Sequence, residues 1–198
     1  MFLERLETER LVLERLSHDT VDVLEYYRLC SRHEDDIEAV TSHLTWEPHA
    51  TPMETKAFID DVENRWNEAE RAEYLIRPKR GEDGAGEIAG ATGIGIDWDR
   101  QTGELGTWLR KSFWGRGYSG ERAAALLELA FDRLDLEVVS VGHLAGNEKS
   151  KRAIEKYVEA HGGQYDGILG NWVPIGDEVE DLHRYTITRE QYWNAVEG

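Results

Sequence analysis

Lys111-Ser112-Phe113-Trp114-Gly115-Arg116-Gly117-Tyr118-Ser119-Gly120-Glu121 joins a strand-like run to a helix-like run through a glycine-rich turn, and its reading decides the fold. Residues 105 to 120 hold no Asp or Glu, the longest such window in a chain with 40 acidic and 23 basic residues. The start of a helix presents backbone N–H groups and the positive end of the helix dipole. A turn there, free of carboxylates in sequence and flanked by Arg110, Lys111, Arg116 and Arg122, suits a phosphate.

Working outward, 198 residues are enough for one sizeable α/β domain over 1–198, while a second full domain would be cramped. With 32% charged and 40% hydrophobic residues, the composition is that of a soluble globular protein. No apolar run approaches the ~20 residues of a membrane helix, and Met1–Glu7 lacks the basic-then-apolar layout of a signal peptide. The single Cys30 leaves no intramolecular disulfide, so a reducing cytoplasm is expected. Its place in a helix-like segment fits a buried apolar role better than a nucleophile. The net charge of −17 is spread through every segment, and six of the 23 basic residues are lysine, leaving 17 arginines. That dispersed acidic surface fits solubility at high salt, as in an acidic, halophilic proteome, and it opposes nonspecific nucleic-acid binding. His33-Glu34-Asp35-Asp36 lacks ligand spacing, and no metal is expected.

Hydrophobic periodicity predicts a strand over 8–16, a helix ending near Arg32, and an irregular stretch over 33–50 with one helical turn around Ile37–Val40. Thr51-Pro52-Met53-Glu54 has the cap, proline and glutamate of a helix start, and that helix runs to about Arg71. Strands follow over 73–79, 87–98 and 103–110, then the glycine turn and a helix carrying Ala123, Leu126, Leu127 and Ala130 inward. A buried strand over 137–144, a helix over 147–160 stopped by Gly162-Gly163, two closing strands and a short helix capped by Thr188 complete the chain.

Gly115-Arg116-Gly117-Tyr118-Ser119-Gly120 is a literal G-x-G-x-x-G. A dinucleotide fold needs that turn after the first strand of a parallel βαβ unit. Here a meander precedes it, and the next strand ends in Gly142-His143-Leu144 rather than an acid for a ribose. A P-loop also fails, because no Lys-Ser or Lys-Thr follows the glycines.

Four segments together resemble the GNAT acyltransferases, and within them the ribosomal-protein N-acetyltransferase-like (RimJ/RimL-like) branch. They are Leu6-Glu7-Thr8-Glu9-Arg10-Leu11-Val12-Leu13, Trp46-Glu47-Pro48-His49, Gly103–Leu109 running into Trp114–Tyr118, and Asn147-Glu148-Lys149-Ser150. The resemblance implies an α/β (α+β) fold with a mixed, mostly antiparallel sheet of about seven strands flanked by about four helices. It also implies acetyl-CoA as co-substrate, without metal, and a primary amine as acceptor, either a protein N-terminus or a small-molecule amine. No nucleic-acid or membrane partner is implied, and a homodimer is compatible with it.

The same resemblance distributes roles. Backbone N–H groups of Gly115, Arg116, Gly117, Tyr118, Ser119 and Gly120, following Trp114 and Arg110, hold the pyrophosphate. A backbone N–H near Leu109 polarises the thioester carbonyl. Asn147 contacts the cofactor arm. Glu104 is the base, Ser150 lies near the thiol as proton donor, and Tyr157 is the other candidate acid. Trp46, His49 and Trp172 line the acceptor pocket. Each has a plainer reading too: Glu104 as a solvated carboxylate, Asn147 and Ser150 as helix caps, Tyr157 as core, and His49 as a surface loop residue. Ser112 stands where many relatives carry Gln or Arg, and the second acid that some members place after the last helix is missing. A non-catalytic acyl-CoA-binding module is the alternative to the enzyme.

Overall fold

The computed structural model describes residues 1–197. The chain runs through β1 (Arg5–Glu7), β2 (Leu11–Arg15), α1 (Val23–Cys30), α2 (Ile37–Thr41), α3 (Pro52–Asn67), β3 (Arg71–Pro78), β4 (Gly90–Asp97) and β5 (Thr102–Leu109). It continues through α4 (Tyr118–Glu128), β6 (Val138–Leu144), α5 (Glu148–Ala160), β7 (Gln164–Ile175), β8 (Glu178–Thr188) and α6 (Arg189–Glu197). All eight strands share one sheet in the order β1-β2-β3-β4-β5-β6-β8-β7.

The eighth strand, β1, precedes the first expected one and lies outside it. The expected strand over 8–16 is itself shortened to β2, because Thr8–Arg10 turns rather than extends. Thr8 donates its N–H to the Leu11 carbonyl at 3.0 Å, and its Oγ1 accepts the Leu11 N–H at 2.9 Å, a local bond that competes with the strand ladder. Elsewhere the capping signals hold. Thr51 Oγ1 accepts the Glu54 N–H at 3.4 Å, while Glu54 reaches back to the Ala50 N–H at 2.7 Å. Thr188 Oγ1 accepts the Gln191 N–H at 3.2 Å. Gly162, at φ +73°, ends α5 in the left-handed conformation that glycine tolerates best.

Side-chain alternation divides the sheet into two faces. Ala72, Tyr74, Ile76, Ile94 and Leu105 join Ala123, Leu126, Ile154 and Tyr157 of α4 and α5 in one core. Leu75, Ala91 and Trp108 join Tyr26, Cys30, Ile59 and Val62 of α1 and α3 in the other. Glu104, Gly106 and Trp108 alternate onto the α1/α3 face.

One pairing in the sheet is parallel, between β5 and β6, as expected where a helix crosses over. It lasts for Thr102–Val138, Gly103–Val139 and Glu104–Ser140, and the strands then diverge into a wedge. Arg110 donates to the Ala89 carbonyl at 2.8 Å on the β4 side. The period of two therefore turns the Thr107 and Leu109 N–H groups toward the wedge.

Candidate active site

The glycine turn exposes a run of backbone N–H groups without partners among the described residues. Gly115 and Gly117 have φ of +77° and +82°, a region that side chains disfavour. Among the described residues, no acceptor in the chain engages the N–H groups of Gly115, Arg116, Gly117, Tyr118 or Ser119; pairing begins with Gly120 N–H to the Gly117 carbonyl at 3.2 Å. Trp114 Nε1 pins the loop to the wedge strand by donating to the Leu109 carbonyl at 2.8 Å. Tyr118 offers the cradle only its backbone, since its ring is buried and its hydroxyl donates to Glu82 at 2.8 Å. A Cβ at Gly120 would lie 3.9 Å from Tyr157 Cβ, so this glycine lets α4 and α5 approach.

The acid-free window of the sequence is not acid-free in space. Arg110 is paired with Glu87 at 3.1 Å, Lys111 with Asp36 at 2.7 Å and Arg116 with Asp83 at 3.0 Å. Arg122 faces inward and is fully buried. The flanking cations read from sequence are thus either neutralised by acids from distant loops or removed from the turn. Two basic residues that sequence reasoning missed lie against the turn, Lys149 and Arg10, the latter itself paired with Glu121 at 2.7 Å. Arg10 donates from Nη1 to the Arg116 carbonyl at 3.0 Å. Lys149 Nζ stands 3.9 Å from the centre of the Trp114 ring, a cation–π contact. Both lie inside the segments that carry the family resemblance, which was their one signal.

Asn147 caps α5, its Oδ1 accepting the Ser150 N–H at 3.1 Å. The Ser150 hydroxyl has no partner among the described residues. Tyr157 is buried beside Arg122, with its hydroxyl 3.5 Å from Nη2; burial pushes the phenol pKa up and Arg122 opposes that rise.

Glu104 lies on the opposite face of the sheet. It lines a cavity of about 750 Å³ with Arg71, Trp98, Ser140, Trp172 and Arg184. Trp46 and His49 do not line this cavity. They pack further along the same face, Trp46 5.6 Å from the Trp108 ring and His49 hydrogen-bonded to Thr55 Oγ1 at 2.7 Å. Burial lowers the His49 pKa.

A second carboxylate escaped the sequence reading. Glu73 is 7% exposed, and its Oε2 accepts from Arg71 Nε at 2.7 Å. Arg71 pairs across Gly95 with Glu104, and Glu73 pairs across Gly93 with Gly106. A Cβ at Gly93 would clash with Glu73 Oε2 and with the Ala72 carbonyl at 2.7 Å, and one at Gly106 would crowd Arg71 Nη2 at 3.2 Å, while at Gly95 it would only touch Arg71 at 3.5 Å. Three glycines therefore form a floor on which Arg71 lies between two acids. Glu73 and then burial dominate the Arg71 environment, and the net effect of Glu73 and Glu104 is to raise its pKa.

The comparisons with known proteins agree with this geometry. A sequence profile of the acetyltransferase (GNAT) domain matches residues 10–157. The Bacillus licheniformis protein named "Uncharacterized N-acetyltransferase p20" is 22% identical over 191 residues, covering 96% of this chain and 99% of that protein. The solved RimL ribosomal L7/L12 alpha-N-protein acetyltransferase is similar in fold, with a TM-score of 0.76 and 17% identity over 95% of this chain and 96% of that one. The Microcin C7 self immunity acetyltransferase MccE, solved with acetyl-CoA and AMP, gives a TM-score of 0.74 and 18% identity over 91% and 93% of the two chains. With its wedge, its N–H cradle and a profile match over most of its length, the chain belongs to the GNAT family of acetyl-CoA-dependent acetyltransferases.

Proposed function

We propose that this protein is an N-acetyltransferase of the RimJ/RimL-like branch, moving an acetyl group from acetyl-CoA to a primary amine by direct attack on the thioester. The observation that carries the reading is the division of labour across the sheet. The N–H cradle and the free Ser150 hydroxyl lie with α4 and α5, while Glu104 and its cavity lie on the other face. The two meet where β5 and β6 part. The amine enters from the Glu104 side and the thiol departs on the Ser150 side.

In this mechanism Gly115–Gly120 hold the pyrophosphate, with Lys149 as the nearby cation and Arg10, paired with Glu121, bracing the loop through the Arg116 carbonyl. The Leu109 N–H polarises the acetyl carbonyl. Glu104 takes a proton from the amine, directly or through water, and Ser150 returns one to sulfur, with Tyr157 as the deeper alternative donor. Asn147 fixes the start of α5 and contacts the cofactor arm. Trp172 walls the acceptor cavity, and Trp46 and His49 extend the acceptor surface. Glu73 supplies a second carboxylate in place of the acid that some relatives carry after the last helix, where this chain has Asp166 but none over 168–173, with Arg71 bridging Glu73 toward Glu104. The whole chain acts as one domain in a reducing cytoplasm.

The test is a titration with acetyl-CoA beside a thiol-release assay on peptides with free N-termini and on small primary amines. Acceptor-dependent release is expected for at least one acceptor class. Tight binding with no acceptor-dependent release across the panel sinks the enzyme and leaves a binding module.

A further inference from the structure

Arg122 is the largest fully buried side chain in the described structure, 1% exposed. Its polar partners are two neutral hydroxyls at long range, Thr92 Oγ1 at 3.4 Å from Nη1 and Tyr157 at 3.5 Å from Nη2, while Nε has none. Its guanidinium carbon also lies 5.5 Å from the Tyr157 ring centre. No carboxylate answers it. The nearest acid in sequence, Glu121, has its oxygens taken by Thr8 and Arg10. Thr92 faces it from β4, Tyr157 from α5, and the α4/α5 core around it is apolar. A guanidinium keeps its charge at neutral pH, and a buried charge without a counter-charge is strongly destabilising. Ordinary packing does not account for an arginine here.

Its location does. Thr92 Oγ1 donates to the Gly106 carbonyl at 2.9 Å. Gly106 lies just past Glu104, the last β5 residue in register with β6. The charge therefore sits one hydroxyl behind the wall of the wedge, on the face where the thiol departs. We propose that Arg122 is a positioning residue, held without a counter-charge so that the wedge favours an anion, the coenzyme A thiolate. The inference rests on acetyl transfer at the wedge. In that step the amine nitrogen bonds to the acetyl carbon and the carbon–sulfur bond breaks with its electron pair on sulfur. The amine proton passes to Glu104, and sulfur carries the negative charge until Ser150 or water protonates it.

The test needs no acceptor. Coenzyme A and desulfo-coenzyme A, which lacks the thiol, are titrated calorimetrically into the wild type and Arg122→Met at neutral pH and at about pH 10. In the wild type the preference for coenzyme A over its desulfo analogue should grow about tenfold with pH, the signature of a bound thiol ionising about one unit below the free one. In Arg122→Met the preference should change by less than about twofold, while the variant melts no lower than the wild type because methionine removes a buried charge. Arg122→Lys should behave like Arg122→Met, because a buried amine without a counter-charge gives up its proton well below about pH 10. A wild-type preference that stays flat with pH overturns the proposal without any variant, and so does equal growth in Arg122→Met. Failure of both ligands to bind is a different result, and removes the acetyl-CoA reading on which the inference stands.

Discussion

Glu121 holds Arg10 twice, Oε1 accepting its backbone N–H at 2.6 Å and Oε2 its Nε at 2.8 Å. Thr8 Oγ1 adds a bond to Oε1 at 2.5 Å. The β1–β2 turn is thereby clamped to the first turn of α4, behind the cradle. Burial alone would push the Glu121 carboxyl up, but the bonds from Thr8 and Arg10 outweigh it and hold the pKa below the ordinary glutamate value. A depressed carboxylate stabilises the fold above its unfolded pKa, ~4.3, and loses that contribution as pH falls through the lower folded value. Glu121→Gln should therefore cost about 2 kcal/mol at neutral pH and progressively less below about pH 4. Urea unfolding of both proteins across that range measures the difference; a gap that does not narrow in acid removes Glu121 as its source.

Gly117 caps α4 at φ +82°, and a Cβ there would meet Arg10 Nη2 at 3.4 Å, tight but movable. Gly117→Ala should cost about 1 kcal/mol of stability through backbone strain and leave much of the acetyl-CoA affinity. Gly117→Asp adds a carboxylate facing the free N–H groups, and should weaken acetyl-CoA by at least a further ~10-fold beyond the alanine variant. Calorimetric titration of both variants separates charge from strain. Equal affinities for the two would mean that the phosphates do not sit at this turn.

The element order and the cradle were legible in the sequence because both rest on local signals. Caps at Thr51 and Thr188, the glycines of the turn and the alternation of apolar residues each act within a few positions. What failed were the features made by distant residues. Thr8–Arg10 continued a strand pattern, and the hydroxyl bond that bends it leaves no periodic mark. The window over 105–120 looked free of acids because Asp36, Asp83 and Glu87 reach it only through the fold. Glu73 was one acid among 40 until β3 and β4 placed it on a glycine floor beside Arg71. Register across three strands decides that site, and register is not written in any one of them.

Glu104 and Ser150 lie on opposite faces of the wedge, so their removal should act on different protons. Glu104→Gln should spare acetyl-CoA binding and lower kcat by about 10²–10³-fold, with the low-pH limb of kcat/KM flattened. Ser150→Ala should act less, because water can reach the sulfur, and it should lower kcat without moving either limb, because a serine hydroxyl does not titrate in this range. Steady-state profiles with the best acceptor from the amine panel check both. Unchanged turnover of Glu104→Gln at every pH would transfer the base to Glu73, which Glu73→Gln then examines against the same acceptor.

The net charge of −17 supplies the remaining prediction. Many ion pairs lie at the surface, including Arg5–Glu7, Lys56–Asp60, Arg65–Asp61 and Arg100–Asp97. Exposed pairs of this kind contribute about 0–1 kcal/mol each. Against them stands the mutual repulsion of the excess carboxylates, which acts over longer distances. Salt shortens the screening length from about 10 Å at 0.1 M to about 3 Å at 1 M, a range that spares pairs in contact and removes most repulsion between separated charges. Potassium chloride should therefore raise the Tm by several degrees between about 0.05 M and about 1 M, with the steepest rise at the low end where screening changes fastest. A Tm that falls over this range would show that the local pairs outweigh the repulsion, and high salt would then lose its place as the reason for so acidic a surface.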